Sequence, residues 1–274
     1  MITNSILGFC ISVVVAYVAY RRNSLTQSGM GAAILLGTLV YGLGHWIFYV
    51  FMMFFFMSSL VIRRIVTVLY PSAHRALMHH HQKHEARSWV QVAANGGILA
   101  LISALYTIWP SHFMIFVAAV SMAAATSDTW ASEIGVLSHE KPKSLLKRQV
   151  METGLSGGVT TLGLWASLGG SALIAVIFGL YLGVVTGFDL RLVLITLLCL
   201  LGGFIGSVFD SILGELFQAK YKNLKAEIVE VSTTAEDILI QGFRWFDNNL
   251  VNFLSNVFVV GSFSALVFYF GLIA

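Results

Sequence analysis

From Gly29 to Ile62 the chain runs for 34 residues without one charged side chain. A soluble helix of that length needs a polar face, whereas a bilayer core of roughly 30 Å is crossed by about 20 apolar residues. The run is too long for one crossing and suits two short ones hinged near Gly42-Leu43-Gly44-His45. The same yardstick marks spans at about Thr3 to Tyr20, Trp89 to Trp109, Ser111 to Thr126, Gly157 to Val185, Leu190 to Phe217 and Asn249 to Ile273. An all-α membrane protein of about eight transmembrane helices is expected, a single polytopic domain over residues 1–274. Composition excludes the rivals. With 57% hydrophobic and 11% charged residues, and a mean hydropathy of +0.83, there is too little polar surface for a soluble globule. Three Pro and two Cys exclude collagen and disulfide scaffolds, and Cys10 and Cys199, in different apolar runs, read as two buried thiols. The first run has no basic lead-in and no Ala-x-Ala exit, so it reads as a span and not a cleaved signal.

Charge sets the orientation. Net charge +3 is too mild for a nucleic-acid partner, but 15 of the 16 Lys and Arg fall in the connections after spans one, three, five and seven, and only Arg191 lies on the other side. Lys and Arg collect in cytoplasmic loops, which puts these connections inside, both termini outside, and the protein in the plasma membrane of a prokaryote. In the last cytoplasmic loop, Lys225 to Val231 and Ile238 to Gly242 are β-prone runs parted by Ser232-Thr233-Thr234, a small hairpin by their spacing.

An ionisable group inside a span costs at least about 2.5 to 3.5 kcal/mol and demands a partner or a task. Four such clusters lie at the cytoplasmic ends. Lys83, Arg87, Gln91 and Asn95 step by four into Gly96-Gly97 and would form one polar stripe, suited to a phosphate chain or to snorkelling and helix–helix contact. In Ser127-Asp128-Thr129-Trp130-Ala131-Ser132-Glu133, the two acids are five apart and point about 140° from each other on a regular helix, which favours a broken or capped segment. Two carboxylates with neighbouring hydroxyls are hard oxygen ligands suited to Mg²⁺. Gly203, Gly206, Asp210 and Gly214 share one helix face, so a neighbour can approach closely while Asp210 points into the contact. Asp247, at a cap position, precedes Asn248, Asn252 and Asn256, an inward polar ladder that serves equally as glue. Gly154-Leu155-Ser156-Gly157-Gly158-Val159-Thr160-Thr161 opens the sixth span like an anion-binding helix start but has no P-loop lysine. The histidines of His79-His80-His81-Gln82-Lys83-His84 are too crowded along the chain to converge on one ion and read as a solvated loop.

Together, Arg87-x3-Gln91-Val92-x2-Asn95-Gly96-Gly97, Ser127 to Gly135 with Asp-Thr-Trp-Ala-Ser-Glu at its centre, Ser156-Gly157-Gly158-Val159, Gly206-x3-Asp210-Ser211-Ile212-Leu213-Gly214 and Asp247-Asn248-Asn249-x2-Asn252 occur in one order. This order resembles the integral-membrane family of unknown-function proteins that includes the plastid phytyl-phosphate kinase of tocopherol synthesis. The chain departs from the pattern in its His-rich lead-in and in Glu215 after Gly214, where a small residue is expected. The resemblance implies phosphoryl transfer from a nucleoside triphosphate to an isoprenyl monophosphate. On that reading Asp128, Glu133 and Asp210 are the catalytic and Mg²⁺-binding acids. Lys83, Arg87, Gln91, Asn95, Thr129, Ser156, Gly157, Gly158, Ser211, Asp247, Asn248 and Asn252 hold and orient phosphates. The competing expectation is a transporter of an anion or lipid phosphate, since polar clusters at broken helices also mark transport sites.

Overall fold

A computed structural model describes residues 2–71, 86–232 and 234–273. Among them are eight helices: α1 (Ile2–Arg21), α2 (Gln27–Leu43), α3 (Trp46–Leu69), α4 (Trp89–Tyr106), α5 (His112–Gly135), α6 (Thr161–Thr186), α7 (Leu190–Leu216) and α8 (Asn248–Tyr269). Seven are long and apolar enough to cross a membrane. The exception is α2, whose 17 residues rise only roughly 25 Å. The hinge is where the glycines put it: Gly44 ends α2 by donating to Val40 O (3.1 Å), and His45 Nδ1 accepts from Ile47 N–H (3.3 Å) to start α3.

The centre of the molecule is α5, with 89% of its apolar stretch buried against 22% for α1. Its small side chains permit this. A Cβ added at Gly203 would lie 2.7 Å from Ala123 Cβ, and one at Gly206 would lie 2.8 Å from Ala124 Cβ, so α7 packs on α5 along the glycine face read from the sequence. The thiols divide: Cys199 is buried, but Cys10 lies on the exposed face of α1, contrary to the expectation of two buried groups, because α1 is an outer helix.

Three local expectations are corrected. The polar end of α5 neither breaks nor starts a new helix at Asp128; it runs unbroken to Gly135. Its hydroxyls are satisfied in place: Thr126 Oγ1 donates to Met122 O (2.6 Å), Ser127 Oγ to Ser167 O (2.9 Å) and Ser132 Oγ to Thr129 O (3.1 Å). Helix α6 begins at Thr161, where Thr160 Oγ1 accepts from Gly163 N–H (3.0 Å), and not at Gly157. Gly158 and Val159 instead form β2 (Gly158–Val159), antiparallel to β1 (Lys143–Ser144).

The two β-prone runs of the last polar connection do not pair with each other. Both flank β3 (Lys220–Lys222), with β4 (Ile228–Val229) on one side and β5 (Ile238–Gln241) on the other. The tight partner of β3 is β4 because Asn223 closes that turn, its Oδ1 accepting from the N–H groups of Lys225 (3.0 Å) and Glu227 (2.9 Å), with Ala226 at φ +62°. This leaves only the far edge of β3 for β5.

Candidate functional site

At the end of the bundle that carries the basic connections, polar residues from α3, α4, α5, α7, α8 and the glycine-rich loop line one cleft. Its empty space, open mouth included, is about 1230 Å³. Arg87, Gln91, Asn95, Asp128, Thr129, Glu133, Ser156, Gly157, Gly158, Asp210, Ser211, Asn248 and Asn252 all face it. Lys83 and the His79–His84 run lie outside the described residues.

Arg87 is not on a helix, so the stripe expected from Lys83 onward starts only at Gln91. Arg87 sits in an extended link tied to the first connection: its N–H donates to Ser24 O and its carbonyl accepts from Thr26 N–H, both at 3.0 Å. Its guanidinium stands 5.3 Å over the Phe55 ring. Among the described residues it has no carboxylate partner. Burial pushes the group down to about 10, with Arg63 nearby adding to the shift and Glu133 opposing it. Gln91 Oε1 accepts from Ser88 N–H (2.9 Å) in a capping box, and Asn95 Nδ2 donates to Gln91 O (3.0 Å).

Glu133 is buried, and Arg63 grips its Oε1 with Nη2 (2.7 Å) and Nε (3.0 Å). Its other oxygen, Oε2, has no hydrogen-bond partner among the described residues. Asp128, about 140° away on the same helix, reaches the same cleft because the cleft wraps round the polar end of α5. Across the cleft, Asp210 Oδ2 accepts from Ser255 Oγ (3.1 Å) and, in the amide orientation that satisfies both ends, from Asn252 Nδ2 (2.9 Å). The asparagine ladder therefore divides its work. Asn252 orients Asp210, while Asn256, one turn deeper, donates to Ser121 O (3.1 Å) and joins α8 to α5. Asp247 does not line the cleft; it caps α8, its Oδ1 accepting from Leu250 N–H (2.9 Å).

The glycine-rich loop is held from behind by Glu230, which the sequence did not single out, and by Glu215, noted there only as out of pattern. Glu230 accepts from Ser156 N–H (2.6 Å), Ser156 Oγ (3.0 Å) and Gln218 Nε2 (2.7 Å), and Glu215 accepts from Ser144 Oγ (2.6 Å). Ser156 thus faces the cleft with its hydroxyl already engaged. Gly157, at φ +90°, lies so close to Glu215 that a Cβ would meet its backbone at 2.8 Å. Buried Lys220 is lowered by desolvation, with Glu230 and Glu215 opposing that shift. Glu215, out of pattern in the sequence, is accordingly a wall of the loop.

The donor set bears on Mg²⁺. No group of three or more His, Cys, Asp or Glu that could hold a metal ion occurs among the described residues. Glu133 gives Oε1 to Arg63 and keeps Oε2 without a hydrogen-bond partner among the described residues, and Asp128 and Asp210 line the same cleft. Carboxylate oxygens with phosphate oxygens and water completing the shell are the usual Mg²⁺ arrangement, so the donor types present are those that a substrate-completed site uses. Sequence reasoning missed Arg63, counted only as a loop cation, and the Ser88-x-x-Gln91 capping box, whose spacing was legible.

Comparison with known proteins adds the family. Residues 10–260 match the family described as integral membrane protein DUF92. The chain is 30% identical over 270 residues to Protein PGR of Arabidopsis thaliana, covering 91% of each protein. It is 36% identical over 149 residues to the uncharacterized membrane protein MJ0933 of Methanocaldococcus jannaschii, covering 52% of this chain and 59% of that one. No solved structure matches. A match over nearly the whole chain, carried by a helical bundle with its polar cleft at one end, makes this protein a member of the integral membrane family DUF92.

Proposed function

We propose that the cleft transfers a phosphoryl group from a nucleoside triphosphate to an isoprenyl monophosphate, facing the cytoplasm from a prokaryotic plasma membrane. An oxygen of the acceptor phosphate attacks the γ-phosphorus, the bond to the bridging β-phosphate oxygen breaks, and a nucleoside diphosphate leaves. The acceptor is already an anion, so no strong general base is required; neutralisation and alignment dominate. Asp128 and Asp210 are the residues that would hold Mg²⁺, which supplies charge neutralisation on the nucleotide oxygens. Arg87 binds phosphate, Asn252 and Ser255 hold Asp210 in position, and the backbone of Gly157 and Gly158 lines the same cleft.

One observation carries this reading. A mostly buried guanidinium with no carboxylate partner among the described residues faces a cleft that also holds Asp128 and Asp210. A cation held out of water and offset only in part by Phe55 and Glu133 is costly, and an anionic ligand relieves it. Transport is the weaker reading because α5 and α7 close together directly beneath the cleft at Gly203 and Gly206.

The test uses purified protein in detergent with labelled nucleoside triphosphate and a panel of isoprenyl monophosphates. Wild type should form the diphosphate, and Asp128→Asn and Asp210→Asn should each lower turnover by about 10²-fold or more. No turnover on any acceptor, with nucleotide-independent flux of lipid phosphate in vesicles, would replace the kinase with the transporter.

A further inference from the structure

Beside the polar cleft lies a second, partly open cavity among α1 to α5, with about 650 Å³ of empty space once its open mouth is counted, lined almost wholly by apolar atoms. Arg87, Gln91 and Asn95 line both spaces and form their common wall. Away from that wall the lining is aliphatic, aromatic and thioether, with Met52, Met53 and Met122 supplying side chains that adapt to irregular shapes. The far end is closed by a polar pair, Ser12 Oγ and Tyr49 OH at 3.2 Å. Arg87 stands over Phe55, and from Phe55 to Tyr49 is six residues along α3, roughly 9 Å at about 1.5 Å per residue.

We infer that this cavity is the site of the substrate's hydrocarbon tail: a single linear isoprenoid chain lies in it, its phosphate at Arg87 and its far end against the Ser12–Tyr49 pair. The inference rests on reading the polar cleft as a phosphate site. A polar head and a single long apolar chain is the ligand shape that matches a cation at the mouth, an apolar bore and a polar stop. A bilayer is as apolar as the cavity, so entering it contributes little net transfer energy. What the cavity provides is registration of the head and a limit on tail length. A chain too long for the bore has to fold back or leave its phosphate short of Arg87.

The test is photo-crosslinking of the full-length protein in detergent, without nucleotide, using an isoprenyl monophosphate with a diazirine at its tail end. Label is expected on the segments around Ser12, Tyr49 and Met52, competed by unlabelled isoprenyl monophosphate and not by a diacyl phospholipid. It should fall at least tenfold in Ala33→Trp, which fills the bore; Ala33→Leu is the milder filler if the tryptophan variant does not fold. Tyr49→Ala should raise the longest tail accepted. Label scattered over lipid-facing surfaces, or competed equally by diacyl phospholipid, would overturn the inference. Label in the bore without any diphosphate formation keeps the tail site and removes the kinase. Turnover undiminished in a folded Ala33→Trp protein, with label elsewhere, does the reverse.

Discussion

At the scale of single residues, Arg87 and the Arg63–Glu133 pair respond to opposite changes. Arg87 carries its charge to about pH 10. Phosphate binding to the protein should therefore hold across neutral pH and weaken only as pH rises through and above that value, and a bound anion should move the loss to higher pH. Arg87→Gln should abolish the binding throughout, measured with a labelled isoprenyl monophosphate. The buried pair behaves as a unit. Arg63→Ala strands Glu133 and should lower stability by about 3 kcal/mol, whereas Arg63→Met with Glu133→Gln should recover most of it in a thermal unfolding series. Much of this scale was legible in the sequence, since an acid or amide inside an apolar run announces that it needs a partner. Asp210 and Asn252 were found that way. Arg63 was not, because a basic residue at a span end has an adequate explanation in snorkelling, and Glu230 was not, because nothing in a polar connection marks an acid as buried.

At the scale of elements, the glycine-rich loop is set by backbone geometry and not by its polar side chains. Gly157→Ala introduces a Cβ at φ +90° against the Glu215 backbone and should destabilise the protein by about 1–3 kcal/mol. It should also lower turnover through the displaced loop, and denaturant unfolding followed by the phosphoryl-transfer assay separates the two effects. Helix positions were readable from the apolar runs, and the α2–α3 hinge from Gly42 and Gly44. The start of α6 and the strand order in the last polar connection were not. Two residues of β2 and the pairing of β3 depend on what lies beside them, and short strands carry too little periodicity to declare a partner.

At the scale of the whole molecule, the lopsided basic charge predicts a sided protein. A cysteine placed at Lys141 in a Cys-free background should be shielded from a membrane-impermeant thiol reagent in intact cells, and one at Leu190 should be labelled; the opposite result would invert the proposed orientation. The central place of α5 has a consequence for how the chain is made. The alanines and serines that let α7 approach so closely also give α5 the lowest mean hydropathy of the seven long helices. A segment of lower hydropathy gains less on passing from the translocon into lipid. The more apolar α6, which packs along it, is the natural companion for its entry, so the helix most shielded from lipid in the finished protein should draw most on its neighbours during synthesis.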